Sequence, residues 1–121
     1  MATLKQRKAT STLDEIRCAV SAIEDKKGED ICVLDVRDKS SITDYVILAS
    51  GTSDPHIKAI KKALDKTLRE DGIQLLGEHG AAESGWIVVD AFDFVIHLQT
   101  DEMRELYQME QLWRDAQKVE L

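Results

Sequence analysis

Trp86-Ile87-Val88-Val89-Asp90-Ala91-Phe92-Asp93-Phe94-Val95-Ile96-His97-Leu98-Gln99 reads as two runs of β-branched and aromatic residues around the short turn Ala91-Phe92-Asp93. Runs of five to six residues joined so tightly pair as an antiparallel hairpin. Strict alternation sets His97 on the same face as Val95, opposite Phe94, Ile96 and Leu98. One face of this hairpin therefore belongs to a core.

Upstream, Ile31 to Val36 and Tyr45 to Ala49 are two more short strands, separated by polar turn residues Asp38 to Ser41, and they are close enough to form a first hairpin. Two helices accompany them. Thr12 and Glu15 have capping-box spacing ahead of Leu13, Ile16, Val20 and Ile23, with Lys26 and Lys27 before Gly28 at the carbonyl end. Thr52-Ser53-Asp54-Pro55 opens the second helix, whose stripe is Ile57, Ile60, Leu64 and Leu68 and whose stop is Asp71-Gly72. Its outer face is basic, with Lys58, Lys61, Lys62, Lys66 and Arg69.

Ile73 to Leu76 predicts a short strand, followed by a loop through Gly77, Gly80 and Gly85. After the second hairpin, Thr100 is the expected N-cap of one closing helix carrying Met103, Leu106, Tyr107, Met109, Leu112 and Trp113. The order is then α-β-β-α-β-β-β-α. Two hairpins joined by a helical crossover predict an α/β (α+β) fold, a mixed sheet flanked by helices.

With 121 residues, 43% hydrophobic and 32% charged, the chain suits a single domain with a real core. Residues 1–11 hold Lys5, Arg7 and Lys8 and no acid, which predicts a flexible basic tail ahead of a folded domain at 12–121. The net charge is -7, and from residue 83 onward nine acids face three bases. A body this acidic repels phosphate backbones and anionic lipid, so neither DNA nor a membrane is expected, and a basic protein is the better partner. No apolar stretch is long enough to span a bilayer and no secretion signal opens the chain, which predicts a soluble, cytoplasmic protein. Cys18 and Cys32 are too few for a disulfide framework or a zinc site and read as reduced thiols.

Gly51-Thr52-Ser53 ahead of a basic helix offers amides to a phosphate, but it lacks both the P-loop ending and the three-glycine pattern, so it reads first as a helix cap. Asp35, Asp90 and Asp93 lie at strand ends and would serve a magnesium-dependent nucleotidyltransferase only if two carboxylates shared a strand face. Asp90 and Asp93 are three apart across a turn, the wrong spacing. His56, His79 and His97 fall on different elements, and no Ser or Cys stands beside a base and an orienting acid. The reading is a non-enzyme with no cofactor, no metal and no catalytic residue. Trp86 and Trp113 either fill the core or, with Tyr107, form the apolar centre of an interface rimmed by acids.

Taken together, Asp35-Val36, Ser40-Ser41-Ile42-Thr43-Asp44-Tyr45 and Ser50-Gly51-Thr52-Ser53 with His56 resemble the front half of the Iojap family, the bacterial and organellar ribosomal silencing factors. The back half agrees: Gly77-Glu78, Trp86-Ile87-Val88-Val89-Asp90, Asp93, Val95-Ile96-His97, then Arg104, Tyr107, Glu110, Leu112 and Trp113. The motifs keep their order and spacing from about residue 12 to 114.

The resemblance implies a nucleotidyltransferase-like fold without transferase activity. It also implies docking on the large ribosomal subunit through its fourteenth ribosomal protein, with obstruction of small-subunit joining that represses translation when nutrients are short. Carried over by position, Trp86, Asp90, Asp93, His97, Arg104, Tyr107 and Glu110 are the expected partner-binding residues, with Arg104 and Glu110 also suited to pair within the fold. A large-subunit assembly factor using the same site is the alternative, and a homodimer in the unbound state stays open. One departure stands out: the family usually places Gly in the turn where this chain has Phe92, a residue ill suited to positive φ.

Overall fold

In the computed structural model, which describes residues 11–121, the chain runs α1 (Thr12–Asp25), β1 (Glu29–Asp35), β2 (Tyr45–Gly51), α2 (Asp54–Glu70), β3 (Gly77–Ala81), a 3-10 turn (Ala82–Ser84), β4 (Trp86–Asp90), β5 (Phe94–Thr100), α3 (Asp101–Tyr107), α4 (Met109–Leu112) and β6 (Gln117–Lys118). The expected basic tail lies outside the described residues except for Ser11. Ser11 is in fact the N-cap of α1: its hydroxyl, rather than that of Thr12, accepts the Asp14 N–H.

The six strands form one mixed sheet in the order β3-β4-β5-β2-β1-β6. β2 and β5 run parallel, with Ile47 opposite Ile96, and every other neighbouring pair is antiparallel. Both predicted hairpins are present, and the α2 crossover brings them side by side.

Alternation sends two apolar sets to opposite faces. On one face α1 contributes Ile16, Ala19 and Ile23, and α2 contributes Ile57, Ile60, Leu64 and Leu68. They bury Val33, Ile47, Ile87, Val89, Phe94, Ile96 and Leu98 of the sheet. Each such side chain removed from water supplies about 1.5–3 kcal/mol, and this face holds most of the folding energy. On the opposite face Leu34, Val36, Val46 and Leu48 make a smaller cluster under Met109, Trp113 and Ala116. The C-terminal segment thus covers the β1–β2 half of that face and leaves the β4–β5 half more open.

Two expectations are corrected. The third strand is not Ile73–Leu76 but Gly77–Ala81, all five residues exposed, because pairing with β4 (Gly77 opposite Asp90) begins where the apolar run ends. The closing helix is also not continuous: Gln108 takes φ +45 and caps α3, so α4 turns back over the sheet, and the two-residue β6 then pairs with β1. Cys18 and Cys32 are free, half-buried thiols. Burial, then the Asp71 carboxylate, pushes Cys18 up to about 11, and burial raises Cys32. No helix among the described residues is long and apolar enough to cross a membrane.

Candidate docking surface

The face left open by the C-terminal segment is built from the residues of β4 and β5 that alternate away from the main core. Register pairs Trp86 with Gln99, Val88 with His97 and Asp90 with Val95. Trp86, Val88, Asp90, Val95 and His97 therefore share one side, each half-buried. Val88 was not singled out from the sequence, although period-two spacing from Trp86 marks it.

Trp86 is the centre of this patch rather than a core residue. Its indole N–H donates to Nδ1 of His97 at 3.0 Å, and its ring lies 4.8 Å from that of Tyr107, tilted by 48°. The His97 ring is 5.9 Å away. Because Nδ1 accepts, the imidazole is neutral, and burial depresses its pKa to about 4. Two glycines make room. Gly80 at φ +82 lets β3 approach so closely that a β-carbon there would stand 2.3 Å from the Trp86 carbonyl oxygen, and Gly85 at φ +78 turns the chain into β4.

Asp90 and Asp93 occupy the far end of the hairpin, roughly 13 Å along the strand from Trp86. Asp90 Oδ1 accepts the Phe92 N–H at 2.9 Å, while the Asp93 carbonyl accepts from Asp44 N and Tyr45 N. Phe92 does take positive φ, +71, so its β-carbon does not divert the turn into another conformation.

Arg104 and Glu110 turn toward the covered half of the face. Arg104 donates to Glu110 Oε2 from Nε at 2.8 Å, to Ser50 Oγ at 2.7 Å and to the Asp30 carbonyl at 2.8 Å. Its side chain is 11% exposed. Burial opposes the Glu110 charge, but the Arg104 hydrogen bonds outweigh it and hold the carboxyl below its ordinary range. This pair clasps α3 and α4 to the sheet. Of the seven expected residues, Trp86, His97 and Tyr107 come together, Asp90 and Asp93 stand at the other end of the same hairpin, and Arg104 pairs with Glu110 within the fold. Trp113 packs half-buried on the smaller cluster.

The rival constellation is dispersed. Asp35 lies opposite Tyr45, whose side chain joins the main core face, and it pairs with Arg37 at 2.8 Å; Asp90 lies on the other face. Among the described residues no three His, Cys, Asp or Glu gather as a metal site. In the Gly51-Thr52-Ser53 loop, Thr52 N donates to His56 Nδ1 at 2.9 Å and Ser53 Oγ accepts from His56 N, so those donors serve the start of α2. His56 Nε2 meets the Lys26 carbonyl at 2.7 Å, which ties α2 to the end of α1.

The match to known proteins covers the whole of this architecture. Residues 9–121 match the family model described as "Ribosomal silencing factor during starvation". The chain belongs to that family. A Bacillus subtilis protein named ribosomal silencing factor is 35% identical over 106 residues, which cover 88% of this chain and 90% of that one. A mouse protein named for mitochondrial assembly of the ribosomal large subunit is 34% identical, over 82% of this chain and 45% of its own longer one. A crystal structure from Chromobacterium violaceum superposes with a TM-score of 0.84 at 32% identity, covering 93% of this chain and 92% of that one. The mixed sheet flanked by helices is thus the fold of this silencing-factor family.

Proposed function

We propose that the chain represses translation by docking on the large ribosomal subunit, through the basic fourteenth ribosomal protein at the intersubunit face, and blocking small-subunit joining. The supporting observation is the open half of the sheet, where Trp86, His97 and Tyr107 form an apolar centre and Asp90 and Asp93 stand at the far end of the same hairpin. Half-buried aromatics with acids at the rim are the anatomy of a protein contact, and the acids complement a cationic partner. A compact chain of this length has a radius of gyration of ~14 Å, thick enough to hold two subunits apart. The action is steric, in the cytoplasm, with no bond made or broken.

Cosedimentation with purified large subunits tests the reading, together with the effect on subunit association. Binding should weaken as salt screens the complementary charges. Failure to cosediment, or unchanged association at saturation, overturns it. The mouse relative's name favours a second reading, large-subunit assembly from the same surface. Accumulation of immature particles on depletion would select that reading, and normal particles with poor survival in starvation would select silencing.

A further inference from the structure

Three large apolar side chains stand in solvent at one end of the sheet: Ile42 is 82% exposed, Phe92 62% and Leu76 58%. Backbone pairing sets their places. Leu76 leads into β3 with its N–H on the Asp90 carbonyl at 2.8 Å, Phe92 is the middle of the β4–β5 turn, and Thr43, beside Ile42, donates its hydroxyl to the Phe92 carbonyl at 3.2 Å. In the order β3-β4-β5-β2 they form a row across about three strand spacings, ~14 Å.

Phe92 carries the argument because its backbone is strained. Its φ is +71, and Asp93 N donates to the Ala91 carbonyl at 2.9 Å, closing a three-residue turn of the rare γ type. A β-carbon is disfavoured there and glycine would relieve it. Asp90 Oδ1 on the Phe92 N–H and Thr43 on its carbonyl hold the conformation in place. The chain thus keeps a bulky residue at a strained position and presents its ring to water, which gains nothing for folding.

We infer that Phe92, with Ile42 and Leu76 beside it, forms an apolar key that enters a depression with a cationic rim on the basic protein partner. The inference rests on the docking reading above. Two observations select that partner. Asp44, Asp90 and Asp93 surround the row, and none of them takes part in the salt bridges of the described residues. The row is also continuous with the aromatic face, since Asp90 and Val95 are cross-strand partners.

The test uses the full chain and purified large subunits. Phe92→Gly and Phe92→Asn both tolerate positive φ and remove the ring. Each should keep or raise the melting temperature by a few degrees while weakening binding about tenfold. Ile42→Ser, outside the strained turn, should weaken binding with the melt unchanged. Unaltered affinity in the Phe92 variants overturns the key and leaves the docking reading standing. A melting temperature that falls together with affinity also overturns it, by making Phe92 structural. Failure of the unmodified chain to bind overturns the docking reading, and the key with it.

Discussion

The indole N–H of Trp86 points at Nδ1 of His97, 3.0 Å away on the diagonal of the β4–β5 ladder, and so assigns the imidazole proton to Nε2. The bond joins the two most informative residues of the candidate surface into one unit. The Trp86 ring is held by contacts to both His97 and Tyr107. A contact patch held this way pays little ordering entropy when a partner arrives.

Burial of the His97 imidazole makes stability depend on pH. His97 titrates near 4 in the folded chain against an ordinary 6.5, so between those values the unfolded chain binds the extra proton. Stability is therefore fully present above about pH 6.5 and falls as pH drops toward 4. Urea unfolding at pH 6.5 and 5, above most carboxylate titration, should show a loss of about 1.5 kcal/mol, absent in His97→Gln. An equal loss in that variant assigns the dependence elsewhere.

Trp86→Phe and Trp86→Ala separate the roles of the indole. Phenylalanine keeps a ring beside Tyr107 but leaves Nδ1 of His97 without its donor, a loss of about 1 kcal/mol in stability. Alanine should reduce affinity for large subunits by more than tenfold while costing less than the 3–5 kcal/mol of a fully buried aromatic, because Trp86 is only partly buried. A loss of stability in that upper range, with affinity per folded molecule intact, assigns Trp86 to the core.

Asp90 offers a clean charge test. Asp90→Asn keeps an oxygen for the Phe92 N–H and removes the negative charge. Stability should stay within about 0.5 kcal/mol, while association with large subunits slows several-fold and loses part of its salt dependence. Stopped-flow association at two salt concentrations reads this directly. Identical rates and salt slopes remove Asp90 from the contact.

The pieces legible in sequence were those with a periodic signal. Ile57, Ile60, Leu64 and Leu68 mark one helix face, and Phe94, Ile96 and Leu98 mark one strand face; all seven are fully buried. Gly77–Ala81 gave no such signal because an edge strand with every residue exposed has no buried side to alternate with. Two residues of β6 are too few for any pattern. The break at Gln108 has neither Gly nor Pro to announce it. It follows from tertiary packing of Met109 and Trp113 on the smaller cluster. Of the candidate surface, the sequence marked Trp86, His97 and Tyr107, which the structure brings together, but not the roles of the rest: Glu110, open to reading as a contact, pairs with Arg104 across the α3–α4 break.

That pair yields the last prediction. Arg104 satisfies Ser50 on β2, the Asp30 carbonyl at the register shift in β1 and Glu110 on α4, so one side chain joins three separated segments. Arg104→Met keeps the stem and removes every donor, leaving the buried Ser50 hydroxyl and part of the Glu110 charge uncompensated. The cost should be about 2–3 kcal/mol, below that of a fully buried ion pair because Glu110 is 42% exposed and recovers water. Arg104→Lys should fall between, since an ammonium cannot span all three acceptors. Urea midpoints measure both. Binding to large subunits, taken at a temperature where each variant is folded, should stay within about twofold of the unmodified chain. A tenfold loss there with an unchanged midpoint would instead place the guanidinium at the partner.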